Sequence, residues 1–171
     1  MILEAHTTEL PQIKPLLIAG VSRCPLLKHY GSDVYLPEKV LPVKNDKRVK
    51  PKKEGGVWTS PVDSEWGWKD WNEGEQFAEC DEENSFTVCL NENAKILVID
   101  SLDDLKNAPL TDGYSKRVLD FEGIAKKYDA IWLTAKGQNA THFAHPLDLC
   151  GWDCETVLIL NPNCCTAVFK I

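Results

Sequence analysis

The stretch that most constrains this chain is Gly151-Trp152-Asp153-Cys154-Glu155-Thr156-Val157-Leu158-Ile159-Leu160-Asn161-Pro162. Thr156 to Leu160 form an unbroken apolar or β-branched run, and Asn161-Pro162 stops it. That pattern predicts a short buried strand closed by a turn. Glu155 is the last polar residue before the run, so its backbone is expected to be fixed by a sheet while its carboxylate reaches the sheet's end. An acid there either caps the strand in solvent or orients and polarises a ligand hydroxyl.

A length of 171 residues suits one globular domain, expected over 1–171 with a helical lead-in over 1–22 and a core over 23–171. The lead-in carries Leu10, Ile13, Leu16, Leu17 and Ile18 around Pro11 and Pro15, a short helix interrupted by proline. No apolar run approaches the roughly 20 residues needed to span a bilayer, and no basic segment followed by an apolar one opens the chain. A cytoplasmic protein with no membrane partner is expected. The net charge of -7 disfavours nonspecific attraction to nucleic acid or anionic lipid.

Seven cysteines without a secretion signal point to reduced thiols. Cys150, Cys154, Cys164 and Cys165 are the one set to weigh as a zinc site, but the paired-knuckle spacing is missing and Cys154 reads as a small hydrophobe beside a buried strand. No metal site is expected. His142 and His145 read as structural, with no acidic or cysteine partner at a supporting interval.

Cys24 to Ser32 reads as a strand opening into a turn at His29-Tyr30-Gly31-Ser32, an imidazole and a phenol beside a backbone that a ligand can approach closely. The basic run Lys44 to Lys53 reads as a long surface loop, either a solvated face or a place to meet phosphates. Gly55 to Pro61 follows as a short strand in which Trp58 is either an aromatic wall for a ligand ring or core.

Ser64 is a candidate helix cap for the segment carrying Trp66, Trp68 and Trp71, whose rings are expected to pack the helix onto a sheet, with nucleobase stacking as the other reading. Ser85 to Leu90 and Ala94 to Asp100 read as strands, placed next to each other by the short connection between them. Ser101 caps a helix through Leu105, Val118 to Tyr128 has helical spacing, and Tyr128 to Thr134 returns to strand. A loop through Gly137 and Pro146 delivers the chain to Glu155.

Three pieces thus stand in order: a strand ending His29-Tyr30-Gly31-Ser32, the strand Gly56-Val57-Trp58-Thr59-Ser60, and a strand entered at Glu155. Over roughly residues 25 to 162 this order resembles the ADP-ribosyltransferase fold, whose NAD cleft is lined by a first-strand His or Arg, a second-strand aromatic or Ser-Thr-Ser group, and a late glutamate. The resemblance implies an α+β fold, an ADP-ribosyltransferase-like mixed β core with flanking helices. It implies NAD as co-substrate and a macromolecular acceptor, protein or nucleic acid, for the ADP-ribose.

Residue by residue, His29 or Tyr30 would hold ribose hydroxyls, and Gly31 would pair with the nicotinamide carboxamide ahead of Ser32. The family's His-Gly-Ser is interrupted here by Tyr30. Trp58 would stack on nicotinamide, Thr59 and Ser60 would brace the site, and Glu155 would be catalytic through the ribose 2'-hydroxyl. Asp153 would take the first place of a Glu-x-Glu element. A catalytically inactive nucleotide-binding or protein-interaction module on the same fold is the alternative, because fold does not set function.

Overall fold

A computed structural model describes residues 25–45 and 55–168. The helical lead-in expected over 1–22 lies outside them, as does most of the Lys44 to Lys53 run. Among the described residues, nine strands and four short α-helices follow in chain order: β1 Leu26–Tyr30, β2 Val57–Pro61, α1 Trp68–Glu75, β3 Ser85–Leu90, β4 Ile96–Ile99, α2 Leu102–Asn107, β5 Leu110–Asp112, β6 Arg117–Leu119, α3 Phe121–Ala125, β7 Ala130–Leu133, α4 Ala135–Thr141, β8 Thr156–Ile159 and β9 Cys165–Val168. The fold is α+β.

Seven strands form one mixed sheet in the order β4-β7-β8-β2-β1-β3-β9, and β5 pairs with β6 in a separate hairpin. Among the described strands only β4 and β7 run parallel. β8 and β9 lie four strand spacings apart in that order, about 19 Å if the sheet were flat. The connection between them contains the 3-10 turn Pro162–Cys164 and spans six residue steps. Three steps at about 2 Å and three at about 3.4 Å reach roughly 16 Å, so the sheet curls to let the chain cross. The crossing is tied on both sides: the Asn91 amide donates to the Cys164 carbonyl, and the Tyr35 hydroxyl donates to the Pro162 carbonyl.

The curl gives the sheet two unlike faces. Alternation along the strands puts Leu27, Val57, Phe86, Val88, Ala130, Trp132, Val157 and Ile159 on the inner face as one cluster. Ile131, Leu133 and Leu158 point outward, where Leu105, Leu119, Phe121, Ile124 and Trp152 cover them. Burial of these side chains, each worth about 1.5–3 kcal/mol, drives both layers together.

Local signals set the starts of three helices. Ser101, Asp120 and Thr134 each accept a hydrogen bond from a first-turn amide of α2, α3 and α4. Gly137 brings the start of α4 against β4, where an added Cβ would stand 1.9 Å from the Ile99 carbonyl oxygen.

Several expectations are corrected. The two strands read as neighbours are not paired: β3 joins β1 and β9, whereas β4 joins β7. Helix α1 begins at Trp68 with Gly67 as its cap, not at Ser64, whose hydroxyl is used elsewhere. Among the described residues Trp68 and Trp71 join neither core cluster and stack on each other at 5.2 Å, and Trp66, just before α1, is exposed. The helical spacing of Val118 to Tyr128 resolves into β6, the Asp120 cap and α3, because Val118 and Leu119 pair with Thr111 and Leu110. The expected loop from Gly137 begins inside α4.

Candidate functional site

Glu155 stands immediately before β8, and continuing the β2–β8 register sets it level with Pro61, itself paired with Leu27 of β1. The order β8-β2-β1 therefore brings the three sequence-predicted segments onto adjacent strands. Their side chains divide between the faces. His29, Thr59 and Glu155 share the inner side, whereas Tyr30, Trp58 and Ser60 alternate to the outer side.

The Glu155 carboxylate is fixed from two directions. Trp132 Nε1 donates to Oε1 at 2.9 Å, and Ser64 Oγ donates to Oε2 at 2.8 Å. Its backbone is fixed as well: the Glu155 amide donates to the Trp66 carbonyl, and Ser60 Oγ donates to the Glu155 carbonyl. Trp66 Nε1 donates to the Asp153 carbonyl at 3.2 Å, so the segment between β2 and α1 is stapled along the entrance to β8. Both side-chain donors are neutral, and each carboxylate oxygen keeps a lone pair for a further donor.

His29 lies two residues along β1 from the level of Glu155 and two strands away, about 7 Å along and 10 Å across. Its Nδ1 bonds the Trp58 carbonyl at 2.8 Å, and its ring stacks on Phe86 at 4.7 Å. The imidazole thus takes over a backbone acceptor of β2 just where the β1–β2 ladder ends at Lys28 and Ser60. Gly31 and Ser32 lie farther along, at the opposite end of β1: Gly31 has φ 108° and donates to Asn84, and Ser32 Oγ bonds Val34. Trp58 packs edge-on against Trp152 at 4.9 Å in the outer core. Thr59 is buried, its hydroxyl donating to the Val157 carbonyl at 2.7 Å.

Tyr30 joins a separate polar cluster. Its hydroxyl donates to Glu82 at 3.0 Å, Lys69 reaches the same carboxylate at 3.2 Å, and Lys28 pairs with its other oxygen. The Lys28 hydrogen bond, ahead of those from Lys69 and Tyr30, holds the Glu82 carboxyl down at about 2. Burial, with the Glu82 hydrogen bond and charge behind it, pushes the Tyr30 phenol upward, so it stays a donor. These side chains line an outer-face cleft of about 390 Å3 together with Ser60, Ser64 and Asp70.

Among the described residues no three His, Cys, Asp or Glu side chains gather as a metal site. His142 does have an acidic neighbour, with Nδ1 3.9 Å from an Asp153 oxygen, a partner that spacing alone hid. Cys154 is buried, and the sulfurs of Cys164 and Cys165 lie 3.6 Å apart. No helix among the described residues is long and apolar enough to cross a membrane.

Sequence reasoning missed Trp132, Ser64, Lys28, Lys69 and Glu82. Alternation in β1 separates Lys28 from His29, but only the β7–β8 register reveals Trp132 as the partner of Glu155. No known family model, curated protein or solved structure matches the chain.

Proposed function

We propose that the chain binds NAD at the Glu155 end of the sheet and cleaves its nicotinamide–ribosyl bond, passing ADP-ribose to a macromolecular acceptor. The observation that carries this reading is the mounting of Glu155, an acid at a sheet end gripped by Trp132 and Ser64 through neutral donors alone among the described residues. Its negative charge is therefore uncompensated by a neighbouring cation there, and a free lone pair on either oxygen can accept the ribose 2'-hydroxyl. That contact strengthens as the departing nicotinamide leaves oxocarbenium character on the sugar, so it favours the transition state over bound NAD.

His29, on the same side of the sheet, is the nearer of the two first-motif candidates for ribose contact. Tyr30, Gly31 and Ser32 would contribute only if the dinucleotide ran toward the far end of β1. The test is nicotinamide release from NAD by the purified chain, against Glu155→Gln as the charge-removing control.

A second reading is favoured by one contact. Trp58 is turned onto Trp152, so no aromatic of β2 stands beside Glu155 to stack on nicotinamide. The scaffold would then serve as a non-catalytic nucleotide-binding or protein-interaction module. NAD binding without nicotinamide release selects this reading.

A further inference from the structure

The outer-face cleft holds an arrangement that the Glu155 chemistry does not use. Lys28 and Tyr30 project into it from β1, two residues apart on one side of a strand, and Lys69 reaches it from the first turn of α1. These three donors, from two rigid elements, converge on the single carboxylate of Glu82. Glu82 itself comes from the irregular segment between α1 and β3, and its side chain is 53% exposed, whereas that of Lys28 is 19% exposed. Lys28 is held more deeply than Lys69, whose side chain is 42% exposed, and Glu82 is the most exposed of the three.

Surface ion pairs ordinarily match one cation to one acid and are worth little. Here two ammonium groups and a phenol share one acid, an arrangement that suits an anion with several oxygens. Asp70 also lines the cleft, but its Oδ2 accepts the Gly67 amide at 2.8 Å at the start of α1. Among the described residues that line the cleft, Lys28 and Lys69 stand against Asp70 and Glu82, and withdrawing Glu82 leaves Asp70 as the one acid there to two ammonium groups. The cleft, about 390 Å3, lies within the range of small-ligand sites.

We propose that Lys28, Lys69 and Tyr30 form a phosphate-binding cradle that Glu82 occupies as a built-in stand-in, so that a phosphorylated ligand enters by displacing the Glu82 carboxylate. The cradle shares Ser60 and Ser64 with the surroundings of Glu155, so a ligand held there would lie beside the β8 entrance. The inference does not rest on NAD cleavage, because inorganic pyrophosphate alone probes it.

The experiment is calorimetric titration of the full chain with pyrophosphate in a chloride buffer. Glu82→Gln keeps the side chain's size and removes the competing charge, and it is expected to bind at least about tenfold tighter than the unsubstituted chain, the scale of one charge-assisted hydrogen bond. Adding Lys28→Met or Lys69→Met to that variant returns binding to the unsubstituted level or weaker. Equal affinity of Glu82→Gln and the unsubstituted chain, or tight binding that survives loss of both lysines, overturns the proposal.

A second measurement uses the unsubstituted chain and so needs no altered fold. Saturating pyrophosphate is expected to slow acylation of Lys69 by an amine reagent several-fold while leaving Lys106, at the end of α2 and paired with Asp103, unaffected. Unchanged Lys69 reactivity counts against the cradle.

Discussion

Trp132 Nε1 donates to Glu155 Oε1 at 2.9 Å, a bond between side chains two residues out of register on neighbouring strands. Trp132 is paired with Val157, so the indole reaches diagonally along the inner face to the entrance of β8. Under the proposed activity its role is to position the carboxylate, not to touch NAD. Trp132→Phe keeps most of the buried ring and deletes the donor. Under the proposed activity, kcat for nicotinamide release falls by about tenfold to a hundredfold, the range for a hydrogen bond to a charged group. The KM for NAD stays within about twofold, since ground-state contacts are preserved. A raised KM with kcat unchanged would show that the indole binds substrate instead.

The Glu82 cluster sets an acid-side signature. Its carboxyl is held at about 2 against an ordinary 4.5, chiefly by Lys28. A lowered folded-state value means the stabilisation is complete above about pH 4.5 and disappears as pH falls toward about 2. Thermal unfolding followed across that window is expected to show the unsubstituted chain melting above Glu82→Gln at neutral pH, with the gap closing in acid. The gap is small because the acid is half exposed. Asp100 and Asp120, also lowered, by hydrogen bonds from Lys136 and Asn45 respectively, leave both proteins some acid sensitivity. A gap that stays constant with pH contradicts the assignment.

Phe121 carries the outer core. It is fully buried at the start of α3 and stacks on Trp152 at 6.3 Å, with Trp58 on the same indole. Phe121→Ala leaves a cavity among residues drawn from α2, α3, β7 and β8, and is expected to lose about 3–5 kcal/mol in denaturant unfolding. A loss below about 1 kcal/mol would mean the aromatic layer is not the core described.

Two glycines in helices make a matched pair. Gly137→Ala drives a methyl into the Ile99 carbonyl, 1.9 Å from the new carbon, and is expected to cost about 1–3 kcal/mol through forced separation of α4 from β4. Among the described residues, Gly74→Ala in α1 meets only the rim of Trp66 at 3.3 Å, and that indole is exposed and able to yield. Better helix propensity makes this change neutral to about 1 kcal/mol stabilising. Equal effects at the two positions would place α4 differently.

How far the chain could be read from its residues depended on the range of the interaction. Strands β1, β2, β3, β7 and β8 were legible because alternation and apolar runs are local, and Ser101 announced α2 because a cap acts within one turn. Pairing was not legible: Asn91-Glu92-Asn93 looked like a link between neighbours, yet β4 pairs with β7, and its buried residue Ile99 joins Leu105 of α2 in the outer core. Ser64 looked like a cap because its competing partner, Glu155, lies 91 residues away. The faces of Trp58 and Glu155 follow from the β2–β8 register, which no short window contains.

The measurement that bears most directly on the account is nicotinamide release from NAD by the unsubstituted chain and by Glu155→Gln, with both shown to be folded by the same thermal transition. The account predicts steady release by the former and a loss of about a hundredfold or more in the latter, the scale of deleting one transition-state electrostatic contact. Release at the same rate by both proteins, or by neither, would contradict it.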